Sequence, residues 1–142
     1  MTRAPRALCV AAAALGLHGC HLELLRENPL GCRSDERAMV RDTLYFGASI
    51  PGGGAVDASA WQQFAADTLT AAFPQGYSVV DAHGVWRDAG GRSTQEDSRI
   101  VSIVHADTAS IAQAVRQVAA TYRERFHQES VLRERAAVCA QF

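Results

Sequence analysis

Tyr77-Ser78-Val79-Val80-Asp81-Ala82-His83-Gly84-Val85-Trp86-Arg87, then Asp88-Ala89-Gly90-Gly91-Arg92, then Ser98-Arg99-Ile100-Val101-Ser102-Ile103-Val104-His105, is the stretch whose reading decides the fold. Its two outer parts are rich in Val, Ile and aromatic side chains and its middle carries Asp, two Gly and Arg, so it reads as a β-hairpin. Upstream, Arg41-Asp42-Thr43-Leu44-Tyr45-Phe46-Gly47-Ala48 reads as a strand that stops at Ile50-Pro51-Gly52-Gly53-Gly54. Between the two, Trp61, Phe64, Ala65, Thr68, Leu69 and Ala72 recur every three or four residues. That spacing is the apolar face of a helix, capped by Asp57 or Ser59 and ended by Phe73-Pro74-Gln75-Gly76. Downstream, Ile111, Ala114, Val115, Val118, Tyr122 and Phe126 form the stripe of a longer helix capped by Asp107 or Thr108. Arg116, Arg123, Glu124 and Arg125 fall on its solvated side. Glu129 to Cys139 reads as a last strand. The order β-α-β-β-α-β is the α+β, ferredoxin-like split βαβ arrangement. Right-handed crossovers then give a four-stranded antiparallel sheet of order 4-1-3-2, with two helices on one face.

Alternation assigns the faces. In the first hairpin strand Val80, Ala82, Gly84 and Trp86 are small or apolar, which predicts that they face the helices with Trp86 packed under one of them. Val79, Asp81, His83, Val85 and Arg87 then face away. With a three-residue loop between Asp88 and Arg92, the register sets Asp81 opposite Arg99 and His83 opposite Asp97. On this reading Tyr45, Asp81, His83, Asp97 and Arg99 form a ligand or partner face on the open side of the sheet, beside Val79, Val85, Val101 and Ile103. A half-apolar open sheet calls for a cover. A second copy of the chain, giving a homodimer through this face, a ligand, or the N-terminal segment would each supply one.

The chemistry these residues offer is limited. Asp81 with Arg99 suits a carboxylate or polar ligand, against the plainer reading of a surface ion pair worth a few tenths of a kcal/mol. His83 with Asp97 has the makings of an oriented general base, yet no Ser or Cys is placed to complete a triad. His83 and His105 lie too far apart along the sheet to share an ion, and zinc needs three or four protein ligands, so neither metal nor cofactor is expected. The Gly52-Gly53-Gly54 loop lacks the following Lys-Ser/Thr of a phosphate cradle and reads as a plain loop. A formal net charge of -1 gives no sign of a nucleic-acid partner. Hydrophobic content of 48% with 20% charged residues is that of an ordinary globular chain.

The N-terminus reads as an address. Arg3 and Arg6 precede the apolar run Ala7 to Leu17, which is too short to span a bilayer, and the pattern is that of an export signal. Leu17-His18-Gly19-Cys20 resembles the lipobox of bacterial lipoproteins. The resemblance implies a signal peptide over 1–19 and lipidation of Cys20; residues 20–30, up to Asn28-Pro29 and Leu30, read as a tether, and 31–142 as one domain. His21 in place of Asp favours the outer membrane by analogy; a soluble secreted protein is the alternative. Removing residues 1–19 takes away two Arg and no acid, so membrane attachment would come from the lipid and not from surface charge. Cys9 leaves with the signal and Cys20 takes the lipid. Cys32 and Cys139 remain as one pair for an oxidising compartment, where a disulfide between them is expected.

Leu44-Tyr45-Phe46-Gly47, Trp61-Gln62-Gln63-Phe64, Phe73-Pro74-Gln75-Gly76-Tyr77, Asp81-Ala82-His83-Gly84-Val85-Trp86-Arg87 and Gln128-Glu129-Ser130-Val131-Leu132-Arg133 together resemble a small exported bacterial family, domain of unknown function 3574. The resemblance runs from Arg41 to Phe142. It implies the exported address and supplies no activity. The expectation is a lipid-anchored envelope protein of the periplasmic side that binds a small ligand or a protein through its open sheet. The alternative is a small enzyme using Asp81, His83 and Arg99.

Overall fold

A computed structural model of the chain describes residues 30–87 and 89–142. The expected signal over 1–19, the lipid site Cys20, the tether up to residue 29 and the turn residue Asp88 lie outside the described residues. β1 spans Arg37–Gly47, β2 Ser78–Arg87, β3 Ser93–His105 and β4 Leu132–Ala140. A first helix lies between β1 and β2, and a second, Ala109–Phe126, between β3 and β4. The strands form one antiparallel sheet in the order β2-β3-β1-β4, the expected order read from the opposite edge. The fold is therefore the ferredoxin-like α+β arrangement. β3 begins earlier than its composition signals, because the polar run Ser93-Thr94-Gln95-Glu96-Asp97 is carried into the ladder by pairing with β2. β4 begins later, at Leu132.

Local chemistry fixes the helix ends. Asp57 caps the first helix by accepting from the Ala60 N–H at 2.8 Å. That hydrogen bond, seconded by the Ser59 hydroxyl, holds its carboxyl below the ordinary carboxylate value. The helix is α over Ala58–Phe64, π over Ala65–Leu69 and α again over Thr70–Ala72. Trp61, Phe64 and Leu69 are buried along it. Thr108 caps the second helix by accepting from the Ile111 N–H at 3.3 Å. This helix ends at His127 in the left-handed region, φ 53, where the Gln128 N–H donates to the Arg123 carbonyl at 3.0 Å.

The core lies between the helices and one sheet face. Leu44 and Phe46 of β1 and Val101 and Ile103 of β3 meet Trp61, Phe64, Val115, Val118 and Tyr122. Tyr122 is the hub, with ring centroids 4.7 Å from Phe46 and 5.0 Å from Phe64 in edge-on geometry. Burial pushes its phenol far above the usual range, and its hydroxyl donates to the Gly47 carbonyl at 2.7 Å. The Cys32–Cys139 disulfide forms as expected, with Cα atoms 5.4 Å apart across a sequence separation of 107. It fastens the entry of β1 to the end of the neighbouring β4. Among the described residues no helix is long and apolar enough to cross a membrane.

The register matches expectation: Asp81 pairs with Arg99 and His83 with Asp97. The faces are the reverse of those expected. Val101 and Ile103 are buried under the helices at 0% and 2% exposure, so the odd positions of β2 and β3 form the helix-bearing face. Val80 and Trp86 lie on the open face, exposed at 59% and 41%, and Trp86 does not pack under a helix. The reason is the position of β2. It is an edge strand, none of its residues is fully buried, and its own alternation therefore says little about which side holds the core.

Candidate functional site

The residues singled out in the sequence divide between the two faces. Asp81, His83, Asp97 and Arg99 sit on the helix-bearing side of the β2–β3 hairpin, not on the open face. Arg99 is fixed there by the Trp61 ring, its guanidinium carbon 5.1 Å from the centroid, and by a 3.5 Å hydrogen bond donated to the Val56 carbonyl. Its Nε lies 3.6 Å from Asp81 Oδ1. Asp81 itself is 86% exposed, so this ion pair is a weak tie. His83 Nδ1 and Asp97 Oδ1 are 2.6 Å apart, with side chains 84% and 75% exposed. A hollow of about 410 Å³ runs between these groups and Ala48, Ala55 and Val56. The two pairs are brought side by side, but they open into solvent; among the described residues Ser98 is the one hydroxyl residue that lines the hollow, and no Cys does.

His105 is placed far from His83 in function. It joins Asp42 and Arg133 in a buried cluster. Asp42, at 0% exposure, accepts from Arg133 Nε and Nη2, each at 2.8 Å, and faces His105 Nε2 at 2.9 Å. Burial pushes the Asp42 carboxyl up, but the hydrogen bonds and charges of Arg133 and His105 outweigh it and leave the carboxyl below its ordinary value. His105 Nδ1 faces the Ala106 carbonyl at 2.8 Å, which completes the satisfaction of the cluster. This is a structural tie between β1, β3 and β4. Cys32, Glu36 and Cys139 offer ligand atoms within 4.8 Å of one another, but both sulfurs are committed to the disulfide.

The open face carries a second hollow, a cavity of about 420 Å³ at the end where β1 finishes and β3 begins. Four strands build it: Tyr45 from β1, Gly84 and Trp86 from β2, Thr94, Glu96 and Ser98 from β3, and Leu132 from β4. Its rim is the segment after β1, Ser49 to Pro51, and the segment before β4, Gln128 to Ser130. The two rims are pinned together, since Gln128 Nε2 donates to the Ser49 carbonyl at 2.7 Å. The Gly52, Gly53 and Gly54 backbone, at φ +92, +118 and +92, closes the turn beyond, where the Ile50 N–H donates to the Gly54 carbonyl at 3.1 Å.

Two side chains in this cavity have fixed chemistry. The Tyr45 hydroxyl donates to Glu134 at 2.8 Å, and that bond, with burial and the nearby charge, holds the phenol above its ordinary pKa. Glu96 is half-buried and accepts from the Ser49 N–H at 2.9 Å. Gly47 makes room for it, because a Cβ at that position would lie 2.5 Å from Glu96 Oε1. Of the expected face residues only Tyr45 belongs here. Trp86, Glu96 and Gly47 were not singled out for this role. The parity of β1 and β3, where Leu44, Phe46, Val101 and Ile103 mark the core side, is the signal that places Tyr45, Glu96 and Trp86 opposite.

A family model described as "Protein of unknown function (DUF3574)" matches residues 41–142. Among curated proteins, none matches this chain by sequence. Several solved structures are similar in fold. One is a phage SAM lyase in complex with S-methyl-5'-thioadenosine, at TM-score 0.58 and 16% identity, covering 73% of this chain and 90% of that one. Another is CutA from Synechococcus elongatus complexed with a Bis-Tris molecule, at TM-score 0.50 and 15% identity, covering 75% of this chain and 87% of that one. At such identities the likeness shows the fold alone.

Proposed function

This chain belongs to the DUF3574 family of proteins of unknown function, and for it we propose an exported, lipid-anchored envelope protein that binds a small ligand in its open-face cavity. The observation that carries the reading is the cavity itself. Its volume of about 420 Å³ lies in the range of small-molecule sites, and two aromatic walls and a rim pinned by Gln128 define it. The export address rests on Arg3, Arg6, the Ala7–Leu17 run and the Gly19-Cys20 pair. The Cys32–Cys139 disulfide is in keeping with an oxidising compartment. The phage SAM lyase with S-methyl-5'-thioadenosine and the CutA with Bis-Tris, two of the solved structures of similar fold, each hold a small organic molecule, which supports the reading by analogy of fold. Val80, Val104 and Leu132 remain exposed on the same face, and a second copy of the chain covering them is the form of self-association this reading includes. The alternative, an enzyme working through Asp81, His83 and Arg99, has less support, because those side chains are paired in solvent-open geometry.

Mass spectrometry of the protein isolated from its host tests the reading. The expected species sits in the membrane fraction, begins at an acylated Cys20, keeps the disulfide, and releases a small molecule on unfolding that Trp86→Ala no longer retains. A chain that keeps residues 1–19, or one without acyl mass in the soluble fraction, overturns the anchoring. A co-purified molecule retained equally by Trp86→Ala but lost from Arg99→Ala moves the site to the other face.

A further inference from the structure

Resting on the reading of the open-face cavity as a ligand site, we propose that its ligand is a small organic cation: a protonated amine, a quaternary ammonium or a sulfonium group. The cavity makes the site, and its lining decides the class. Its charged lining residues are Glu96 and Glu129, and no Arg or His is among the described residues that line it. Eleven Arg lie among the described residues and none of them lines the cavity. Tyr45 and Trp86 both line the cavity, and an aromatic ring stabilises a cation held over its face, Trp being the best such partner.

The hydrogen-bonding state of the cavity points the same way. The Tyr45 hydroxyl proton is committed to Glu134, and the Gln128 amide donates to the Ser49 and Phe126 carbonyls. Those two side-chain donors are thus already engaged, and the lining's other side-chain donors are the Trp86 indole N–H and hydroxyls such as those of Thr94, Ser98 and Ser130, while the carboxylate acceptors remain. Glu96 Oε1 takes the Ser49 N–H, and Oε2 has no hydrogen-bond partner among the described residues. An anionic ligand would meet two like charges here. A neutral ligand would strip water from a half-buried carboxylate and leave one oxygen unpaired. A cation resolves both costs. Gly47 is then a positioning residue, since a Cβ there would lie 2.5 Å from Glu96 Oε1 and force that carboxylate to shift.

The test uses the full chain with its disulfide intact and three probes of similar shape and different charge: benzyltrimethylammonium, benzyl alcohol and benzoate. Affinity is read by calorimetry, and the site by NMR shifts of the Trp86 indole and the Glu96 amide. The expected result is that the cation binds tightest and shifts both signals. Glu96→Gln, Trp86→Ala and Gly47→Ala should each weaken it about tenfold or more, with thermal unfolding confirming that each variant is folded. Benzoate or benzyl alcohol binding at the cavity as tightly as the cation, or Glu96→Gln retaining full affinity, overturns the cation class and leaves the ligand site standing. Failure of all three probes to shift Trp86 overturns both.

Discussion

Replacing Asp42 with Asn removes the charge at the centre of the cluster that ties β1 to β3 and β4. Asp42 is fully buried and takes hydrogen bonds from Arg133 at 2.8 and 2.8 Å and from His105 at 2.9 Å. Asn offers one carbonyl oxygen and turns an NH2 toward these donors, so at least one donor loses its acceptor and Arg133 loses its counter-ion. Breaking a buried ion pair from one side costs about 3–5 kcal/mol. The Arg133 side chain is 25% exposed, so water recovers part of the loss and the lower end, about 3 kcal/mol, is expected. Because Asp42 has a folded-state value below 3.8, its ionised form contributes stability above that pH, and the contribution fades as pH falls through the lower folded value. The gap between wild type and variant should therefore be wide at neutral pH and narrow in acid below 3.8. Urea unfolding followed by tryptophan fluorescence over a pH series measures it. A cost below about 1 kcal/mol at neutral pH, or a gap that stays constant into acid, would refute the reasoning.

Other substitutions separate the elements of the fold. Replacing both Cys32 and Cys139 with Ser opens a separation of 107 residues and should cost about 2–4 kcal/mol in chemical unfolding, and a negligible change would mean the two ends are held by the β1–β4 ladder alone. Trp61→Ala should cost about 3–5 kcal/mol, since the ring packs on Phe46, Phe64 and the Arg99 guanidinium. Trp86→Ala, on the open face, should cost under about 1 kcal/mol, and the opposite ranking by thermal unfolding would restore the face assignment read from β2. His127→Gly should gain about 0.5–1 kcal/mol by relieving the left-handed helix terminus, visible as a raised Tm; a lowered Tm would show that the His127 side chain stabilises that end.

Much of the architecture is legible in the sequence because it is local. Helix stripes, the Gly-Gly turn and the breaks at Pro51 and Pro74 each act within a few residues, and together they restrict the topology to one arrangement. The hairpin register followed from loop length, and Asp81 duly meets Arg99. The face assignment failed because it was read from β2, whose place at the sheet edge leaves both of its sides wet. β3 carried the better signal: Val101 and Ile103 are the large residues the core needs, and their parity puts Arg99 and Asp81 on the helix side. Asp42 is a charged residue at a core-parity position of β1, which flags a buried partner, but that its partner is Arg133 is set by sheet order and sequence separation, beyond local reading. The cavity was legible only in part. Tyr45 stood out, whereas Trp86, Glu96 and Gly47 acquire their roles once four strands and two rims converge.

We propose the open-face cavity, and not the Asp81–His83 side of the hairpin, as the place where this protein meets its ligand. The most direct measurement is NMR shift mapping of the folded chain against a fragment set that spans positive, neutral and negative charge. Shifts are expected to cluster on Tyr45, Trp86, Glu96 and Leu132, strongest for cationic fragments. Shifts clustered on Asp81, His83, Asp97 and Arg99, or none above background, would contradict that placement.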